Sequence, residues 1–215
     1  MRPTVFIGLL GGLALNASAQ GTQPFVPGDA DANAQLTALV ETARTNGLPI
    51  DPIVAKVQYG RVVHAEPSRI VASARAVATR LEIARDALAP ASALDITAGA
   101  DALGSGATKE TLRAIRTASG GQPVVTPLAV LAQLLSSNVP LKKATEIVTS
   151  FLRRGATPEQ LVALGNNVND DVTHGAAALA ALDARARFLS GVLAPGGTSA
   201  AAAAPGIASG VPKKP

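Results

Sequence analysis

One short signal returns along this chain and cuts it into helix-sized pieces. Gly47-Leu48-Pro49-Ile50-Asp51-Pro52-Ile53 shows it in full. Gly106-Ala107-Thr108-Lys109-Glu110-Thr111-Leu112 and Gly155-Ala156-Thr157-Pro158-Glu159-Gln160-Leu161 repeat it, and Asn138-Val139-Pro140 leads to Ala144 in the same way. His64-Ala65-Glu66-Pro67-Ser68-Arg69-Ile70 and the stretch from Gly175-Ala176 are weaker copies. Gly or Asn takes the left-handed conformation that ends a helix. The next residue is small or apolar and packs back on the turn just completed. Pro or Thr then starts the following helix, Thr as a cap and Pro as a first turn that lacks an amide hydrogen. Asp51, Glu110 and Glu159 follow, at the positive end of the new helix dipole.

The six signals begin at positions 47, 64, 106, 138, 155 and 175, so their spacings are 17, 42, 32, 17 and 20. A spacing of 17 holds one helix of about three turns and a short connection. The two long gaps have room for one more helix start each, near Pro90 and Thr126. The expected fold class is therefore all-α: eight or nine short-to-medium helices in antiparallel hairpins, forming a compact bundle or a short hairpin-repeat array. Irregular spacing and a long third helix weigh toward the bundle. The spacing resembles that of helical-hairpin repeats such as tetratricopeptide arrays, as a class of architecture only. The signature early Trp and paired Tyr of that motif are missing.

Residues 1–19 read as a secretory signal peptide. Arg2 supplies the charge, Val5 to Leu15 the short apolar run, and Ala17-Ser18-Ala19 the small residues before a cut at Gln20. The run is well short of the ~20 apolar residues of a spanning helix. Residues 20–32 read as a flexible leader, 33–190 as a single helical domain, and 191–215, rich in Ala, Gly and Pro, as a disordered tail. The sequence has no Cys, so packing alone has to supply stability. The expected localisation is export to the periplasm or the extracellular space, with no integral membrane anchor after cleavage.

The individual helices follow from apolar spacing. They are expected over about 33–45, 50–63, 67–88, 92–103, 108–118, 127–137, 140–154, 157–172 and 175–190. The third is the clearest, because Ile70, Ala74, Val77, Leu81, Ala84 and Leu88 step by 4, 3, 4, 3, 4 along one seam. In the second, Gly60 either permits a close helix crossing or marks a break. In the last, Leu179, Leu182, Ala186 and Leu189 are expected to face inward.

Little in this sequence carries chemistry. Asp29, Asp31 and Asn33 resemble the start of a calcium loop, but Ala34 stands where that loop needs Gly and Val40 where it needs Glu. Capping of the first helix is the better use for them. The two His, His64 and His174, each fall at a helix junction, where an imidazole can cap carbonyls. No phosphate loop, dinucleotide fingerprint, zinc motif or nucleophile elbow is present. Arg69, Arg75, Arg80 and Arg85 scatter around one helix and read as a solvated face. With so weak a charge and so few aromatics, nucleic acid is not an expected partner.

One polar cluster stands out as a candidate ligand or cation site. Asn167, Asp170, Asp171 and His174 recur at three- and four-residue spacing. The alternative is that Val168 and Val172 pack inward while Asp170 and Asp171 face solvent. No cofactor, metal ligand set or catalytic residue is expected. The expected function is a non-enzymatic structural or interaction module of the cell envelope with a protein partner, bound through a helix groove or a concave face. The competing classes are an envelope hydrolase with carboxylates from separate helices and a carrier of an apolar ligand.

Overall fold

The computed structural model describes residues 25, 26 and 28–193. The expected signal peptide, part of the expected leader (20–24 and 27) and nearly all of the expected tail lie outside the described residues. Among the described residues the chain forms nine helices and no strand. They are α1 (Ala30–Thr45), α2 (Asp51–Val62), α3 (Pro67–Leu88), α4 (Ala93–Gly104), α5 (Lys109–Ala118), α6 (Val125–Ser136), α7 (Leu141–Arg153), α8 (Pro158–Thr173) and α9 (Ala178–Val192).

The recurring signal is one backbone motif used six times. Gly47, His64, Gly106, Asn138, Gly155 and Gly175 all have positive φ, from 51° at His64 to 104° at Gly106. After each, the next amide reaches back five residues. Leu48 donates to Ala43, Ala65 to Gly60, Ala107 to Ala102, Val139 to Leu134, Ala156 to Phe151 and Ala176 to Asp171, all at 2.9–3.0 Å. The left-handed residue itself donates three back, as Gly155 does to Leu152 at 3.0 Å. This is the Schellman closure, which satisfies the last carbonyls of a helix and reverses the chain. Thr108 and Thr157 then cap α5 and α8 through their hydroxyls, Thr157 in a reciprocal box with Gln160. The two long gaps contain the expected extra starts. After the cis Ala89-Pro90 bond, Ser92 and Asp95 make a second capping box for α4; Val124 precedes α6.

The helices pack compactly around one apolar cluster that runs from Val26 to Leu189. Their pairing is that of a two-layer hairpin stack. In one layer α1 packs on α3, α3 on α5 and α5 on α7; in the other α4 packs on α6 and α6 on α8. Neighbours in sequence join the layers, as in α2 with α3, α3 with α4 and α8 with α9. Of the two expected arrangements this is the hairpin-repeat array, not the bundle that irregular spacing and a long α3 weighed toward, because helices pack on those two places further along the chain. The long α3 serves as its spine, touching α1, α2, α4 and α5. All six residues of the α3 seam are buried.

Two glycines set how closely helices cross. The α2 helix runs through Gly60 without a break, and a Cβ there would lie 2.8 Å from Ile70 Cγ1. A Cβ on Gly99 would lie 2.8 Å from Leu88 Cδ1 and 2.9 Å from Ala84 Cβ. Both sites bring a helix backbone onto α3, and an alanine-rich α3 leaves the room for it.

Some local expectations need correction. The first helix starts at Ala30, not Asn33, because Asp29 accepts from the Ala32 amide at 2.8 Å and caps it. Asn33 instead clamps the incoming chain: its Oδ1 accepts from Val26 N at 2.7 Å and its Nδ2 donates to Val26 O at 2.6 Å. The last helix continues to Val192, two residues past Ser190. Leu179 is 42% exposed, because α9 turns Ala181, Leu182, Ala186 and Leu189 toward the core and leaves Leu179 off that face.

Candidate functional site

A wide recess lies where one layer of the stack is incomplete. Helices α2 and α4 both pack extensively on α3 but share little contact with each other. The gap between them is an open groove of about 730 Å³. Its α2 wall is Asp51, Pro52, Ala55, Lys56 and Tyr59; its α4 wall is Ala93, Leu94, Thr97, Ala100 and Asp101; Val77 and Arg80 of α3 form the floor. Helical periodicity puts each wall on one stripe, at steps of one, three and four.

The groove is mainly apolar with a few charges. Tyr59 is 60% exposed and Leu94 is 70% exposed. Lys56 Nζ sits 5.2 Å from the Tyr59 ring centroid, a cation–π distance. Asp101 lies in the concave wall, where surrounding atoms displace water and raise its carboxyl above the ordinary range against the opposing pull of Arg80. The sequence did hold a signal for this wall. Helix α2 buries Ile53, Val57 and Gly60 on one side yet carries Pro52, Ala55, Tyr59 and Val62 on the other. That outer side also carries Asp51, Lys56, Gln58 and Arg61, so its apolar residues form a narrow stripe among charges.

The expected polar cluster is dispersed among separate structural roles. Asp171 turns to α9, where both its oxygens accept from Arg185, Oδ2 from Nε at 2.7 Å and Oδ1 from Nη2 at 2.6 Å. That guanidinium holds the Asp171 carboxyl below its usual range and Asp171 in turn raises Arg185. His174 caps its own helix, with Nδ1 2.7 Å from the Asp170 carbonyl oxygen. Asn167 and Asp170 face solvent. Their neighbours Asn166 and Asn169 join α8 to α6 through Gln133 and Ser137, both at 3.1 Å. Val168 is buried and Val172 packs partly buried against the core. Among the described residues, no three His, Asp or Glu side chains gather to hold a metal ion. The other histidine, His64, occupies the left-handed position between α2 and α3.

A second charged centre went unread in the sequence. Asp95 is buried at the start of α4 and accepts from Val124 N at 2.9 Å, Ser92 Oγ at 2.9 Å and Ser92 N at 3.2 Å. Arg116 of α5 lies 3.5 Å away. The same guanidinium donates to the carbonyls of Leu88, Pro90 and Gln122. Burial pushes the Asp95 carboxyl up, but the Val124 amide, the Ser92 groups and Arg116 together outweigh it and hold the pKa below the usual range. The pair ties the end of α3, the start of α4 and the α5–α6 turn into one joint. Nothing in the spacing of Asp95 and Arg116 announces this, because the α3–α4 and α5–α6 connections have to meet before the two side chains face each other.

No protein-family model matches the chain, and no curated protein or solved structure shows significant similarity to it.

Proposed function

We propose that this protein is an exported, non-enzymatic interaction module of the cell envelope that holds a protein partner in the groove between α2 and α4. The observation that carries the reading is the groove itself: an apolar trough with an exposed aromatic on one wall and an exposed leucine on the other. A trough walled by two helices is the shape that takes an amphipathic helix, with apolar anchors at steps of three and four. Tyr59 supplies a large, rigid contact at small entropic cost.

A photo-reactive residue in place of Leu94, in exporting cells, tests it. The expected result is one discrete adduct with an envelope protein, lost when Tyr59→Ala is added and absent when the probe is moved to Lys142 on α7. Equal labelling from both positions would refute the reading. N-terminal sequencing of the envelope protein tests export separately, with Gln20 as the expected first residue.

One observation favours a second reading. Asp51 and Asp101 come from separate helices into the same groove, and Asp101 has a raised pKa. Such a pair suits an envelope hydrolase that uses one carboxyl as acid and the other as base. Under that reading Asp101→Asn abolishes turnover and leaves the fold intact; under the first it leaves partner binding within a few-fold.

A further inference from the structure

One segment of this chain is rich in cations. From Pro52 to Leu81 there are five cations (Lys56, Arg61, Arg69, Arg75 and Arg80) and one acid, Glu66, a sum of 5 − 1 = +4. Asp51 and Glu82 flank this segment on either side. That segment is α2, the α2–α3 turn and the first part of α3. Arg61 and Arg69 are exposed beside the turn, and among the described residues neither they nor Lys56 forms an ion pair. The residues outside the described range contain no Asp or Glu side chain to neutralise them.

The same turn carries unburied aliphatics. Val62 is 75% exposed and Val63 is 50% exposed, at the end of α2. Both continue the outer stripe of Ala55 and Tyr59 by one helical turn. Val26, the residue at which the N-terminal chain meets the fold, lines a recess with Arg61, His64 and Ile70 at this end. Exposed aliphatics beside three unpaired cations and one acid, Glu66, next to a Tyr, match a surface that enters the headgroup layer of an anionic bilayer. A protein groove partner needs a concavity; Val62 lies outside the groove that the proposed partner occupies.

We infer that the α2–α3 turn docks this protein peripherally on an anionic membrane surface, with Val62 and Val63 inserted at the interface and Arg61, Arg69 and Lys56 on the phosphates. This inference does not rest on the groove partner. Tyr59 is the single Tyr and there is no Trp, so its fluorescence reports on α2, where this patch borders the groove, and the Val62 and Val63 variants separate the two. The test mixes the protein, purified as the cell leaves it, with vesicles of phosphatidylglycerol and phosphatidylcholine carrying brominated acyl chains. The expected result is quenching of Tyr59 and cosedimentation, both weakened by salt and absent with phosphatidylcholine alone. Replacing Arg61 or Arg69 by Ala should lower the partition coefficient roughly fivefold each. The pair Val62→Asp and Val63→Asp should abolish quenching, with an unchanged circular dichroism spectrum because both side chains are solvent-facing. No quenching by anionic vesicles overturns the inference, as does quenching that the Asp pair leaves unchanged. Binding of an acidic peptide such as polyglutamate in the absence of vesicle binding overturns it in favour of an acidic protein partner.

Discussion

Replacing Asp95 by Ala removes three acceptor contacts and one ion-pair partner from a buried joint. The Val124 amide is the sharpest loss, because Val124 is fully buried and its N–H donates to Asp95 Oδ1. An orphaned buried donor costs about 1–3 kcal/mol. The lost capping box at Ser92 adds about 1 kcal/mol. Arg116 keeps its three carbonyl acceptors but loses its counter-charge. The sum is about 3–5 kcal/mol, the range for breaking a buried charge pair, against a total stability of about 5–15 kcal/mol. Asp95→Asn keeps the shape and an oxygen for Val124, but turns an amide NH2 toward either Ser92 or Arg116, so about half that loss is expected. The pH dependence has a definite sign. The folded-state pKa is below the unfolded value of about 3.9, so the stabilisation is complete above that value and disappears as pH falls through the folded pKa. Urea unfolding followed by circular dichroism at pH 7 and at a series of acid pH values measures it. The gap between wild type and Asp95→Asn should be widest at pH 7 and close on acidification. A gap that stays constant with pH, or an Asp95→Ala loss under about 1 kcal/mol, would refute the charge-based account of the joint.

Other perturbations follow from the same geometry. Gly99→Ala should destabilise by about 1–3 kcal/mol in chemical unfolding, because its Cβ would lie 2.9 Å from Ala84 Cβ, which cannot move aside. His64→Gly should stabilise by about 1 kcal/mol by relieving a left-handed residue that carries a side chain; the melting temperature reads this directly. Calcium at millimolar concentration should leave the melting temperature unchanged, because both Asp171 oxygens are already held by Arg185; a rise would restore the Asn167, Asp170, Asp171 and His174 cluster as a cation site.

The helix ends were the most legible part of this protein. A Schellman turn is closed by bonds that span five residues, so its requirements are local and all six positions could be found from Gly, Asn or His followed by a small or apolar residue. The α3 seam was legible for the same reason: its period is set within one helix. Asn167, Asp170, Asp171 and His174 show the limit of that method. Their spacing places them along one helix, but Asp171 is claimed by an arginine 14 residues further on and His174 by its own helix carbonyl.

What the sequence determined by itself was where each rod stops and which side of it is aliphatic, since capping and periodicity act over a handful of residues. Tertiary structure alone decided that the rods stack in two layers and that α2 and α4 leave a groove over α3. It also decided that Asp95 meets Arg116 where the α3–α4 and α5–α6 connections come together. Each is a matter of distances between surfaces, such as the close approach of α2 and α4 to α3 at Gly60 and Gly99, that no interval along the chain encodes.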